Sequence, residues 1–169
     1  MAILAAKNSN LSLIKILNVL SKLKPIDGRL EKIGKIKNNS MVILDYAHTP
    51  DALNICLENL KDQFKDRKIN IVFGCGGERD QSKRSIMGKI VNYYCNKIYL
   101  TDDNPRTENP KKIRFDIKKG ISNKKLYEIP SRFLAIDKAI ENLKTGEVLV
   151  VAGKGHENIQ DYGKKKNFF

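Results

Sequence analysis

The chain has 169 residues, 41% of them hydrophobic and 30% charged, the size and make-up of one globular domain with a real core and room for a short piece of a neighbour. Its formal charge of +13 comes mostly from lysines scattered among Asn and Ile, with no stripe interleaved with aromatic residues, so it does not indicate a nucleic-acid surface. No apolar run approaches the ~20 residues that span a bilayer, the first residues lack the pattern of a signal peptide, and Cys56, Cys75 and Cys95 form neither a disulfide framework nor a zinc spacing; a cytoplasmic, monomeric protein with reduced thiols is expected.

In chain order, Leu11, Ile14, Leu17, Leu20 and Leu23 recur at near-helical spacing and predict a short amphipathic helix, which Lys24-Pro25 ends. Ser40 to Asp45 reads as a buried strand, followed by the loop YAHTP and a helix opening near Pro50 with Leu53, Cys56, Leu57 and Leu60 on one face. A second strand, Ile69 to Phe73, leads into GCGGERD and a helix around Ile86 to Tyr94. A third, Lys97 to Thr101, leads into DDNPRTENP and a helix over Ile113 to Ile121. A helix from Arg132 to Leu143 precedes the strand Glu147 to Ala152, which delivers the loop GKGHE.

Strand, loop and helix in regular succession with short apolar strands predict an α/β fold, a mostly parallel sheet covered by helices. Ligands of such sheets bind at the carboxyl ends of the strands. All four distinctive loops leave a strand at that end, so they should converge on one crevice.

Each loop has ordinary chemistry when taken alone. Gly74 to Gly77 allow tight turns and close approach of backbone to a ligand, and Arg79, Lys83 and Arg84 place three cations near one strand end, where an anion would be welcome. Asp102-Asp103-Asn104-Pro105-Arg106 reads as a capped turn or as a clamp for a zwitterion, an arginine fork for the carboxylate beside acids and amides for the ammonium. Glu157 adds an acid from the last loop. His48 and His156 stand in no metal-ligand spacing, so no metal site is expected. The residues by themselves thus lead to an α/β domain that binds a small charged ligand.

The segments GRLE at Gly28 to Glu31, LDYAHTPDAL at Leu44 to Leu53, FGCGGERDQSKR at Phe73 to Arg84, TDDNPRTENP at Thr101 to Pro110 and VAGKGHE at Val151 to Glu157 resemble the ordered motifs of MurE-type Mur ligases. The resemblance implies a Rossmann-like C-terminal domain over residues 25–169, a mostly parallel sheet with helices on both faces, lacking its last segment. Residues 1–24 would be the tail of a central ATPase domain. Members of that family use ATP and magnesium to activate the terminal carboxylate of UDP-N-acetylmuramoyl-L-alanyl-D-glutamate as an acyl phosphate, and an incoming amine displaces the phosphate. By the same resemblance Arg79, Asp103, Asn104, Pro105, Arg106, Gly153 and Glu157 would bind the amino acid, and Arg29, Asp45 and His48 would face ATP. The DNPR form is associated with meso-diaminopimelate. Lysine lacks the distal carboxylate of that amino acid, and a crevice built around Arg79 and Arg106 would leave its cations unpaired with lysine.

The sequence contains no GxxxxGK[ST] phosphate loop, and it ends at Lys166-Asn167-Phe168-Phe169, short of the final helix of relatives. A fragment of a longer frame or a truncated one is expected, with no catalytic residue of its own, and with ATP and Mg²⁺ bound only in the full enzyme. Two function classes stay open, a ligase domain that supplies the amino-acid site and a stand-alone, non-catalytic amino-acid-binding module.

Overall fold

The computed structural model describes residues 2–20, 22–23, 26–36, 39–122 and 125–168. Two short helices open the chain, α1 (Ala2–Asn8) and α2 (Leu13–Leu20). The edge strand β1 (Glu31–Ile36) follows, then β2 (Ser40–Asp45), α3 (Pro50–Gln63), β3 (Ile69–Phe73), α4 (Lys83–Tyr94), β4 (Lys97–Leu100) and α5 (Pro110–Lys118). The chain continues through β5 (Lys125–Glu128), α6 (Arg132–Glu141), β6 (Val148–Ala152), β7 (Ile159–Asp161) and β8 (Lys166–Phe168).

The main sheet has the order β1-β2-β6-β3-β4-β5, and β7 pairs with β8 in a separate antiparallel ribbon. Strands β2, β6, β3, β4 and β5 are parallel, and only β1 runs antiparallel to its neighbour β2. The alternation of side chains along each strand sorts the core into two layers. Ile43, Ile71, Phe73, Ile98, Leu100, Val148 and Val150 pack against Leu53, Leu57 and Leu60 of α3, Met87 and Val91 of α4, and Ile113 and Ile117 of α5. Val42, Val72, Tyr99, Leu149 and Val151 face Ala135 and Ala139 of α6. The chain moves across the sheet in one direction while α3, α4 and α5 cover one face. It then returns through α6 on the other face to insert β6 between β2 and β3, so that the forward and return crossovers share one hand, as the right-handed rule for parallel sheets requires.

The starts of α3, α5 and α6 are set by side-chain caps. Thr49 accepts from Ala52 N at 3.3 Å before Pro50, Asn109 accepts from Lys111 N at 2.9 Å before Pro110, and Ser131 accepts from Leu134 N at 3.4 Å. At the amino ends of the strands Glu147 Oε2 accepts from Asn70 Nδ2 at 2.9 Å and Lys97 Nζ at 3.0 Å, a buried polar knot far from the loops described below.

Several elements differ from the sequence expectation. The single helix over Leu11 to Leu23 is instead α2 alone, with α1 before it, and the stop at Lys24-Pro25 lies outside the described residues. Helices α4 and α5 each begin three residues earlier than their apolar periodicity suggests. Their first turns, Lys83-Arg84-Ser85 and Pro110-Lys111-Lys112, carry no apolar signal. Among the described side chains, strands β1, β5, β7 and β8 have no buried apolar run to announce them; Lys32 and Ile33 on the β1 edge are exposed, and Leu126 and Tyr127 on the β5 edge are half-buried.

Candidate functional site

The carboxyl ends of β2, β3, β4 and β6 do converge. A cavity of about 200 Å³ is lined by Tyr46 and His48 after β2, by Gly74, Cys75, Gly76, Arg79 and Lys83 after β3, by Asp103, Asn104 and Arg106 after β4, and by Gly153 and Glu157 after β6. Of the residues expected to bind an amino acid, Arg79, Asp103, Asn104, Arg106, Gly153 and Glu157 all reach this cavity, and Pro105 does not. Pro105 is buried, and its carbonyl accepts from Glu108 N at 3.1 Å.

The loops after β3 and β4 are locked face to face. Gly77 N donates to Asn104 O at 2.8 Å, and a Cβ on Gly77 would run into the Pro105 carbonyl, so only glycine permits that approach. Arg106 stands in the left-handed region at φ 53°, with its own N–H on Asp161 O at 3.0 Å, and its Nη1 donates to Gly77 O at 2.7 Å and Asn104 O at 3.3 Å. Half of its fork is therefore spent on the scaffold. A Cβ at Gly76 would lie 3.1 Å from Arg106 Nη1 and 4.0 Å from Arg79 Cγ, which places both arginine side chains beside Gly76. Arg79 is exposed, and Lys83 Nζ donates to His48 O at 3.0 Å.

Arg84 corrects the expectation of three cations at one anion site. Its side chain is fully buried and turned the other way, holding Glu108 by Nη2 at 2.8 and 3.0 Å and Asp116 by Nη1 at 3.4 Å. Glu108 in turn accepts from Glu78 N, and Glu78 accepts from the Thr107 hydroxyl, so Arg84 tethers the GGERD loop to the loop after β4. Burial pushes the Glu108 carboxyl up, but the hydrogen bonds from Arg84 and from the Glu78 N–H outweigh it and leave the group below its usual 4.5. A depressed folded pKa means a contribution fully present above the unfolded value and lost as pH falls through the folded one. Glu108→Gln is therefore expected to be less stable than wild type at pH 7, with the gap narrowing below pH 4.5; urea unfolding midpoints across pH 3 to 7 check this, and a gap independent of pH counts against it.

The adjacent acids Asp102 and Asp103 have opposite fates. Asp102 faces away from the cavity, paired with Arg114, accepting from the Tyr162 hydroxyl at 3.1 Å and, through its carbonyl, from Gln160 Nε2 at 2.9 Å. Burial, and then Asp102, push the Tyr162 phenol up to about 12. Asp103 faces the cavity beside Gly153, whose φ of 104° suits only glycine and whose Cβ would come within 3.0 Å of Asp103 Oδ2. Beneath the last loop Arg132 is buried and donates from Nη2 to Ala152 O at 2.7 Å, and burial lowers its pKa.

Arg29, Asp45 and His48 surround a second, more open cavity with Leu30, Tyr46 and Ile55, about 370 Å³ in volume. Asp45 is not a free acid there. Its Oδ2 accepts from Leu30 N and its Oδ1 from Ala47 N, each at 2.8 Å, which pins the Gly28 to Glu31 turn onto the strand end. The Arg29 guanidinium lies 5.6 Å over the Tyr46 ring, and the His48 ring meets Tyr46 edge-on at 4.9 Å with Nδ1 3.0 Å from Tyr46 O. Tyr46, which the sequence reading passed over although it sits inside the YAHTP loop, is shared by both cavities. Its hydroxyl donates to Glu157 Oε1 at 3.1 Å, and that bond together with the Glu157 charge raises its pKa. Lys154 was passed over as well, and its buried ammonium lies among Asn104, Asp103, Glu157 and the Ile159 carbonyl. Among the described residues no group of three or more His, Cys, Asp or Glu side chains could hold a metal ion.

Residues 28–155 match the family model described as Mur ligase, glutamate ligase domain. A UDP-N-acetylmuramoyl-L-alanyl-D-glutamate-2,6-diaminopimelate ligase from Rickettsia felis is 48% identical over 153 residues, which cover 90% of this chain and 28% of the relative. Ligases of the same name from Wigglesworthia glossinidia brevipalpis and Rickettsia montanensis are 49% and 44% identical over 90% and 98% of this chain. The solved structure of a ligase of that name superposes with a TM-score of 0.77 at 38% identity, covering 99% of this chain and 34% of the other. A UDP-N-acetylmuramate-alanine ligase from Thermotoga maritima, 21% identical, shares the fold with a TM-score of 0.68. The chain spans about three tenths of the length of these relatives.

Proposed function

Because the chain belongs to the Mur ligase family, through its glutamate ligase domain, we propose that it supplies the amino-acid site of an ATP-dependent ligase that joins meso-diaminopimelate to UDP-N-acetylmuramoyl-L-alanyl-D-glutamate in the cytoplasm. The observation that carries this reading is the four-loop cavity, with Arg79 and Arg106 both beside Gly76 and with Asp103 and Glu157 on the loops after β4 and β6. Two guanidinium groups suit carboxylates, and two carboxylates suit ammonium groups, so a ligand with both at each end matches the lining. The amide forms when the free amino nitrogen attacks the activated carboxyl carbon and the carbon–oxygen bond to phosphate breaks. This chain's part is to hold that nitrogen in position.

Arg29 and His48, standing over Tyr46, would face the nucleotide, and Asp45 would act only by fixing the turn that carries Arg29. The apolar side chains of α2, with Leu13, Ile14, Leu17 and Val19 exposed, support assigning residues 1–24 to a preceding domain that would cover them.

The purified chain is expected to bind meso-diaminopimelate in calorimetry at least about tenfold more tightly than L-lysine, because lysine leaves the arginine pair without its carboxylate. Equal affinity for the two would overturn the substrate assignment. The chain by itself is expected to release no phosphate from ATP, since its sequence holds no loop to cradle the β- and γ-phosphates. ATP turnover above contaminant level would point instead to a nucleotide site complete within these residues.

A further inference from the structure

We infer that Lys154 is a positioning residue whose buried ammonium sets the polarity of the Asn104 amide, so that Asn104 turns its NH₂ group, and not its carbonyl, toward a carboxylate of the bound amino acid. The inference rests on the amino-acid reading of the cavity. Asn104 Oδ1 lies 2.8 Å from Lys154 Nζ and 2.8 Å from Asp161 N. An ammonium and a backbone N–H can only donate, so the atom facing both must be the oxygen; the opposite orientation would press N–H against N–H twice. With both lone pairs of that oxygen used, the amide has only donors left to offer, and Asn104 lines the cavity together with Arg79 and Arg106.

Lys154 does not line the cavity, and it is 1% exposed. Its three N–H groups are met by Asn104 Oδ1, by Ile159 O at 2.7 Å and by Glu157 Oε2 at 3.3 Å, with Asp103 Oδ1 at 3.5 Å. One buried cation thus holds Asn104 as part of a donor wall with the arginines, and Asp103 and Glu157 as an acceptor wall. The β7 strand takes part directly, through the Ile159 carbonyl and the Asp161 N–H.

The test is a double-mutant cycle on the 169-residue chain, with meso-diaminopimelate binding measured by calorimetry and folding by circular dichroism. Lys154→Met is expected to weaken binding at least about tenfold in the wild-type background. In the Asn104→Ala background the same change should cost a factor at least about threefold smaller, because the amide it orients is already gone. Equal factors in both backgrounds would overturn the coupling. If Lys154→Met does not fold, ¹⁵N spectra of the wild-type chain carry the test: the Asn104 Nδ2 protons should shift on saturation with meso-diaminopimelate, and protons that stay in place refute the inference. If the wild type binds no meso-diaminopimelate, the substrate reading fails on its own. The orientation is then read from the unliganded chain, where a slowly exchanging Lys154 ammonium signal should be present and should move in Asn104→Ala. Absence of that signal, or no movement, sinks it independently of the ligand.

Discussion

Arg106→Ala is expected to weaken binding of meso-diaminopimelate by about 2 to 4 kcal/mol while changing lysine binding far less, and Arg106→Lys should fall between the two. The magnitude is that of removing one partner from a desolvated, charge-assisted pair. Arg106 already gives Nη1 to Gly77 O and Asn104 O, so the part of its fork left for a ligand is Nε and Nη2. An ammonium at this position keeps the charge but lacks the planar pair of donors. Arginine, lysine and alanine all carry a Cβ at the same positive φ, so backbone strain is nearly constant along the series and the comparison isolates the side chain. The informative quantity is the ratio of affinities for the two amino acids in wild type and both variants. A ratio that stays constant while both affinities fall would mean that Arg106 only braces the glycine loop.

Arg84→Met should destabilise the chain by about 3 kcal/mol at pH 7, near the lower end for breaking a buried ion pair. The guanidinium is fully buried, but its partners Glu108 and Asp116 remain 18% and 17% exposed and would recover some hydration once unpaired. For a chain of this length that corresponds to a fall in Tm of roughly 6 to 12 °C. The deficit should shrink in acid, as protonation removes the stranded charges. A loss below about 1 kcal/mol would show that the pair is not what secures the GGERD loop. Because Glu108 also accepts from Glu78 N, the same variant should loosen the loop that presents Arg79 and weaken amino-acid binding at temperatures where the fold is intact.

How much of this was legible beforehand differs from residue to residue. The parallel sheet and its helices followed from short apolar runs such as Ile69 to Phe73 and Val148 to Ala152, which are buried on both faces and therefore leave an uninterrupted hydrophobic signal. Caps and helix starts at Thr49-Pro50 and Asn109-Pro110 are local chemistry, written in adjacent residues. Strands β1 and β5 escaped because an edge needs no continuous apolar run, and β7 and β8 because a two-stranded ribbon buries little. The convergence of the four loops also followed from order alone, since every loop leaves a parallel strand at its carboxyl end.

The sequence by itself determined the four buried parallel strands of the sheet, the loops that meet at its edge and the family to which those loops belong, because each of these depends on runs of a few neighbouring residues. Only the tertiary structure decided which charged side chain in each loop faces the cavity. Arg79 does and Arg84 does not, Asp103 does and Asp102 does not, and Lys154 stays beneath the surface to hold Asn104. Those outcomes turn on partners 24, 50 and 60 positions away, in the pairs Arg84 with Glu108, Lys154 with Asn104 and Asp102 with Tyr162. A buried charge goes where its counter-charge is, and no local pattern records where a distant segment will place one.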